Sequence, residues 1–132
     1  MAEPWEAGVV DSDILIDAIR GRPEAVQVLG SLHAGPGVQT SVISAMELID
    51  GCRNATELEH LQAFLLHMEV LPATPAISQT ARHLMESFAL SHRIGIPDAL
   101  IAATAQELGL HLYSRNLKHF KMIPGLAVIR PY

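Results

Sequence analysis

Gly95-Ile96-Pro97-Asp98-Ala99-Leu100-Ile101-Ala102-Ala103-Thr104-Ala105 reads as a proline-headed helix with almost nothing polar on it. Ile96-Pro97 breaks the chain, and a strongly apolar helix is expected over 98–108. A helix without a polar face has to lie at the centre of a fold. After Gly109, His111-Leu112-Tyr113 reads as a short buried strand, and Leu126 to Ile129, past the Pro124-Gly125 turn, as the last strand. Upstream of the break, residues 77–90 form a long helical pattern. Before them Val70-Leu71 is a strand stopped by Pro72, and residues 55–68 are an amphipathic helix carrying Leu58, Leu61, Leu65 and Met68.

Earlier still, Val38 to Ser41 is a strand, and residues 42–52 a helix that Thr40 or Ser41 caps. A Gly/Pro turn over 33–37 precedes it. Pro23 opens a helix with Ala25, Val26, Val28, Leu29 and Leu32 at helical spacing. Val9-Val10 is a strand that ends at Asp11 and enters a helix near Ile14-Leu15-Ile16. Short apolar strands alternating with helices predict an α/β sandwich, three layers deep, with a mostly parallel central sheet. Residues 1–132 show no repeat, no low-complexity tract and no linker, so a single domain is expected.

Composition narrows the class of function. Hydrophobic residues make up 49% of the chain, which excludes disorder. The single cysteine, Cys52, allows no internal disulfide. The acidic start lacks a signal-peptide layout and no apolar run is long enough to span a bilayer, so a soluble cytosolic protein is expected, with no membrane partner. With 14 acidic residues against 9 basic ones, the formal charge is −5. That balance argues against a protein that grips nucleic acid by bulk attraction. It suits a nuclease that recruits a cation with its acids. Arg115, Lys118, Lys121 and Arg130 are four of the nine basic residues, all within the final segment, and form a possible phosphate-facing edge.

In parallel sheets ligands gather at the carboxyl ends of the strands, and three acids are the candidates for such a site. Asp11 directly follows the first strand, where a carboxylate loses solvation. Asp13, just before the apolar run, is the better helix cap of the two. Glu47 lies within Thr40-Ser41-Val42-Ile43-Ser44-Ala45-Met46-Glu47 and shares a helical face with Ser44 and Asp50. Ser44-x-x-Glu47 has the form of a capping box, but it falls inside the expected helix. Asp98 suits a helix N-terminus on electrostatic grounds alone. Each acid has an ordinary structural explanation by itself.

Taken together the three acids resemble the PIN-domain family, closest to the VapC-like toxins. The features are an Asp closing the first strand, a Glu in the third helix after a Thr/Ser-rich start, and Asp98 heading Asp-Ala-Leu-Ile-Ala-Ala-Thr-Ala. The tail Leu112-Tyr113-Ser114-Arg115-Asn116-Leu117-Lys118-His119-Phe120, followed by Ile123-Pro124-Gly125-Leu126, resembles that family's closing segment. The resemblance implies a PIN-like fold and a metal-dependent endoribonuclease acting as the toxin of a toxin–antitoxin pair. It also implies an RNA substrate, an antitoxin that blocks the acidic site, and a homodimer. Asp11, Glu47 and Asp98 would hold Mg²⁺ or Mn²⁺, hard ions that take oxygen ligands. Where the family often carries a fourth acid, Asn116 and His119 stand here, which predicts a weaker hold on a second ion. Asn116 is the further catalytic candidate, as an orienter of a water or ligand. Ser12 and Ser44 are supporting candidates, and Arg115 and Lys118 candidate phosphate contacts.

Two alternatives accompany this reading. One is a non-catalytic binding protein of the same fold. The other is a haloacid-dehalogenase-type phosphatase, because Val-Val-Asp-Ser-Asp resembles its Asp-x-Asp strand. That chemistry needs a downstream lysine and an acidic pair. Here the only lysines are Lys118 and Lys121, and no acid follows Glu107. The seven histidines lack zinc-ligand spacing, and no phosphate-binding glycine loop is present.

Overall fold

The computed structural model describes residues 5–132. The reading of the chain's start as acidic and unlike a signal peptide rests partly on Met1 to Pro4, which lie outside the described residues. Five strands, β1 (Gly8–Val10), β2 (Gln39–Ser41), β3 (Glu69–Leu71), β4 (His111–Tyr113) and β5 (Val128–Ile129), form one sheet in the order β3-β2-β1-β4-β5. Every pairing is parallel, so the sheet goes beyond the mostly parallel expectation. Between strands run α1 (Ser12–Ile19), α2 (Pro23–Ala34), α3 (Val42–Asp50), α4 (Ala55–Leu65), α5 (Pro75–His92) and α6 (Ile96–Leu108). Among the described residues no helix is long and apolar enough to cross a membrane.

Strand side chains alternate between the two faces, and the sheet carries a core on each. Val9 and Leu112 point to one side, where Ile77, Ala81 and Leu84 of α5 pack with Ala99, Ile101, Ala102, Ala103 and Ala105 of α6. Val10 and Tyr113 point to the other, against Ile14 and Leu15 of α1, Val28, Leu29 and Leu32 of α2, Leu48 of α3 and Leu61 of α4. The three-layer sandwich follows from this alternation. Helix α6 is as central as its composition demands, and its one buried hydroxyl, Thr104, donates back to the Leu100 carbonyl at 2.7 Å.

Several boundaries differ from the sequence expectation for local reasons. Pro97 does not exclude Ile96 from α6, because a proline in the first turn has no helical partner to lose. Thr74 caps α5, its Oγ1 accepting from the Ile77 N–H at 3.2 Å, so that helix starts at Pro75. Helix α4 stops at Leu65, three residues early. Residues 66–68 close in tighter turns and leave Leu66 86% exposed. Strand β5 shrinks to two residues, and α2 runs into the expected 33–37 turn.

Candidate active site

β1 is flanked by β2 and β4, so its carboxyl end opens at the middle of the sheet, and Asp11 is the next residue. Its backbone N–H donates to the Tyr113 carbonyl at 2.9 Å, extending the β1–β4 ladder by one step. The residue is 4% exposed, and each of its carboxylate oxygens has a hydrogen-bond donor. Oδ1 accepts the Ser12 N–H at 2.8 Å, and Oδ2 accepts the Ser114 hydroxyl at 2.8 Å. Asp11 is therefore the N-cap of α1, a role expected of Asp13. Asp13 instead accepts the N–H groups of Ile14, at 2.7 Å, and Arg115, at 2.9 Å, and so pins the chain leaving β4. Both of its oxygens are taken by backbone donors.

Ser114 is the site residue that the sequence reading passed over. It is wholly buried directly after β4, donates a hydrogen bond to Asp11, and accepts the Asn116 N–H at 3.0 Å. Its position in Leu112-Tyr113-Ser114, one step past a strand adjacent to β1, was the available signal. Asn116 enters this network through its backbone, and its side chain is exposed.

Glu47 reaches the same place from α3. Ser41 caps that helix, its Oγ accepting from the Ile43 N–H at 3.0 Å, so Ser44 falls inside the helix and the capping-box reading fails. The Ser12 hydroxyl lies 3.3 Å from Glu47 Oε1 and 3.4 Å from Asp11 Oδ1, bridging the two acids. Ser44, one helical turn before Glu47, is buried with its hydroxyl unpartnered. Asp98 sits in the first turn of α6, 30% exposed, and faces His119 Nδ1 at 3.2 Å.

All three acids are held above the ordinary carboxyl range. Burial drives the Asp11 carboxyl up to about 7, helped by the charges of Asp13 and Asp98 and opposed by the Ser114 and Ser12 hydrogen bonds. Glu47 is raised by partial burial and by Asp98, against the Ser12 hydroxyl. Asp98 is raised by burial, with His119 pulling it back. Asp98 thus acts on both of the other acids. All three resist ionisation, the condition a bound cation relieves. Their oxygens suit a hard divalent ion, and the unpartnered Ser44 hydroxyl adds oxygen donor capacity on the Glu47 face. Among the described residues no three acidic, histidine or cysteine side chains close into a finished cage.

Of the proposed phosphate contacts, Arg115 is engaged elsewhere. Its Nη1 meets Asp17 at 2.9 Å, and its guanidinium stacks 5.1 Å from the Tyr132 ring centroid. Lys118 has no ion pair among the described residues. A cleft of about 790 Å³ opens between α1, α3 and α4, lined by Ile16, Leu48 and Phe64 with Glu47 and Arg53.

Ser114→Ala is expected to lower metal-free stability by about 1–3 kcal/mol, since the Asn116 N–H loses its acceptor. Cleavage or metal affinity is expected to fall about 10–100-fold as Asp11 loses its orienting donor. Ser114→Thr, which keeps the hydroxyl, should recover most of both. Denaturant titration alongside a metal titration measures the two effects, and an unchanged metal response would remove Ser114 from the site.

The PIN domain family model matches residues 8–125. Ribonuclease VapC10 of Mycobacterium tuberculosis is 40% identical over 119 residues, covering 89% of each chain. Ribonuclease VapC19 of the same organism is 35% identical over 121 residues, covering 89% of this chain and 95% of that one. A solved toxin–antitoxin complex from Klebsiella pneumoniae contains a chain that superposes with a TM-score of 0.79 at 32% identity, covering 96% of this chain and 98% of its own. Asp11, Glu47 and Asp98 are thus carried on a chain that belongs to the PIN-domain family.

Proposed function

We propose that this protein is a metal-dependent endoribonuclease, the toxin of a toxin–antitoxin pair, which hydrolyses RNA phosphodiester bonds at Asp11, Glu47 and Asp98. One observation carries the reading: the Ser12 hydroxyl bridges Asp11 and Glu47, two acids that burial raises, and the charge of Asp98 adds a smaller push on each. Asp11, Glu47 and Asp98 would hold Mg²⁺ or Mn²⁺. When bound, the ion activates water and neutralises charge on the phosphate. The chain's own work is orientation. Ser114 and the Ser12 N–H fix both Asp11 oxygens, the Ser12 hydroxyl steadies Glu47, and His119 steadies Asp98. Asn116 holds Ser114 through its N–H, and its exposed amide is available to orient a water or the substrate.

The apolar cleft beside Glu47 suits an antitoxin segment, whose seat there would reach the acids and block them. Leu90, 99% exposed, and Ile96, 66% exposed, offer apolar surface for a homodimer. A soluble, cytoplasmic protein agrees with both partners.

The test is cleavage of a mixed RNA panel in Mg²⁺ and in Mn²⁺ by wild type and Asp98→Asn in parallel. Metal-dependent cuts at discrete positions are expected from the wild type and none from the variant. Cuts shared by both would come from a contaminating nuclease. No cuts on any RNA would favour a non-catalytic binding protein of this fold.

A further inference from the structure

We infer that a second cavity, beside Asp98, receives a phosphate of the RNA strand next to the one being cut, through Arg93 and Lys118. This rests on the ribonuclease reading and extends its site. The cavity, about 300 Å³, is lined by His92, Arg93, Ile94, Asp98, Lys118 and His119. The α5–α6 turn supplies one wall, and the 3-10 turn over Leu117–His119 supplies the other.

The lining is opposite in character to the acid site it adjoins. It carries two permanent cations and two imidazoles, and its one carboxylate, Asp98, is already faced by His119. Four of the other six arginines are spent on acids: Arg22 on Asp17 and Glu24, Arg53 on Glu57, Arg82 on Glu86, Arg115 on Asp17. Among the described residues Arg93 and Lys118 have no ion pair. In a chain of net charge −5, two unpaired cations share a hollow with a candidate catalytic acid. A polyanion passing that acid is the occupant whose charge they match.

The backbone at Arg93 gives independent support. Its φ of +53° is the only positive value at a non-glycine position among the described residues. It ends α5 in the left-handed region, and the N–H of the next residue, Ile94, reaches the Phe88 carbonyl at 3.5 Å. Glycine is the unstrained residue for such a cap, and Gly109 fills the same role after α6 at φ +64°. An arginine kept there at a conformational cost is explained by what its side chain does in the cavity. The turn that carries it is fixed, because Ile94 beside it is buried in the core.

The strain also makes a clean test. Arg93→Gly removes the guanidinium while relieving the backbone, so its melting temperature should equal or exceed that of the wild type. Lys118→Gln removes the second cation, and Arg93→Lys returns a charge to the first position. Binding of a short fluorescein-labelled single-stranded RNA is measured in EDTA, where nothing is cut, over a range of salt. Arg93→Gly and Lys118→Gln are each expected to weaken binding about 3–10-fold and to flatten the slope of log K against log salt by about 0.7. Arg93→Lys should restore most of the slope. In Mg²⁺ the loss should fall mainly on KM. If the variants bind with the affinity and slope of a wild type that cuts RNA in Mg²⁺, the cavity is not a phosphate site and the ribonuclease reading stands. A wild type that neither binds nor cuts RNA would overturn both.

Discussion

Unfolded by denaturant in EDTA at pH 8, the Asp11→Asn protein is expected to be more stable than the wild type by up to about 4 kcal/mol. The Asp11 carboxyl rises from 3.8 in the unfolded chain to about 7 in the fold. Each unit of that difference is worth about 1.4 kcal/mol. A carboxyl raised in this way binds its proton more tightly folded than unfolded. The contribution of this group to wild-type stability is therefore greatest below about pH 4, falls as the pH climbs to about 7, and levels off above that. Asparagine cannot ionise, so the variant should lose that decline. It also keeps the cap, since its amide oxygen still accepts the Ser12 N–H. At pH 4 the two proteins should be nearly equal in stability. A variant no more stable than wild type at pH 8 would mean that Asp11 sits ionised without cost.

The same substitution is expected to lower metal-dependent RNA cleavage about a thousandfold, the kinetic equivalent of several kcal/mol of lost charge stabilisation. Opposite signs for stability and activity at one position separate a functional acid from a structural one. A plain helix cap would lose little of either, because asparagine caps as well as aspartate. Metal should stabilise the wild type strongly at pH 8, where Asp11 is ionised, and less at pH 5, where protons compete for the same oxygens.

The fold was legible because its signals are local and redundant. Residues 98–105 carry no polar face, so their burial did not depend on knowing their neighbours. Val9-Val10 and Leu112-Tyr113 are too short to bridge a domain and too apolar to be loops. Asp11, Glu47 and Asp98 stood out as candidates because each lies near such a landmark. What stayed hidden depends on partners distant in sequence. Ser114 looks like any polar residue after a strand until β4 is set beside β1, which brings its hydroxyl to a carboxylate 103 positions earlier. Asp11 and Asp13 divide their work according to where Arg115 lies. Arg115 reads as a phosphate contact in sequence, and only the packing of Tyr132 and Asp17 around it reveals that its charge is used. Helix ends followed the same rule. Thr74 and Ser41 cap as their chemistry suggests, whereas the end of α4 was set by a turn that propensity does not encode.

The close approach of β1 and β4 that brings Ser114 to Asp11 depends on Gly8. Val9 pairs with Leu112 and Val10 with Tyr113, while Gly8 pairs with His111. A Cβ on Gly8 would stand 2.5 Å from Tyr113 Cε2 and 2.9 Å from the His111 carbonyl oxygen. Neither neighbour yields easily. The Tyr113 ring is fully buried, its hydroxyl donates to the Glu6 carbonyl at 2.5 Å, and Trp5 packs edge-on against it at 5.7 Å. The carbonyl is part of the sheet. Gly8→Ala is therefore expected to cost about 3 kcal/mol, the upper range for overpacking, and to lower the melting temperature by about 10 °C. Trimming the ring in Tyr113→Leu opens the larger part of the clash, so the double variant should be at least about 1 kcal/mol more stable than the sum of the two single losses predicts. The clash with the His111 carbonyl keeps the recovery incomplete. Because Asp11 lies three residues beyond Gly8 and Ser114 one beyond Tyr113, a shift in this register also parts the carboxylate from its hydroxyl. Gly8→Ala should therefore weaken the metal response as well as stability. Thermal melts with and without Mn²⁺ measure both, and a fully stable, fully responsive variant would show that β1 and β4 tolerate a separation these distances exclude.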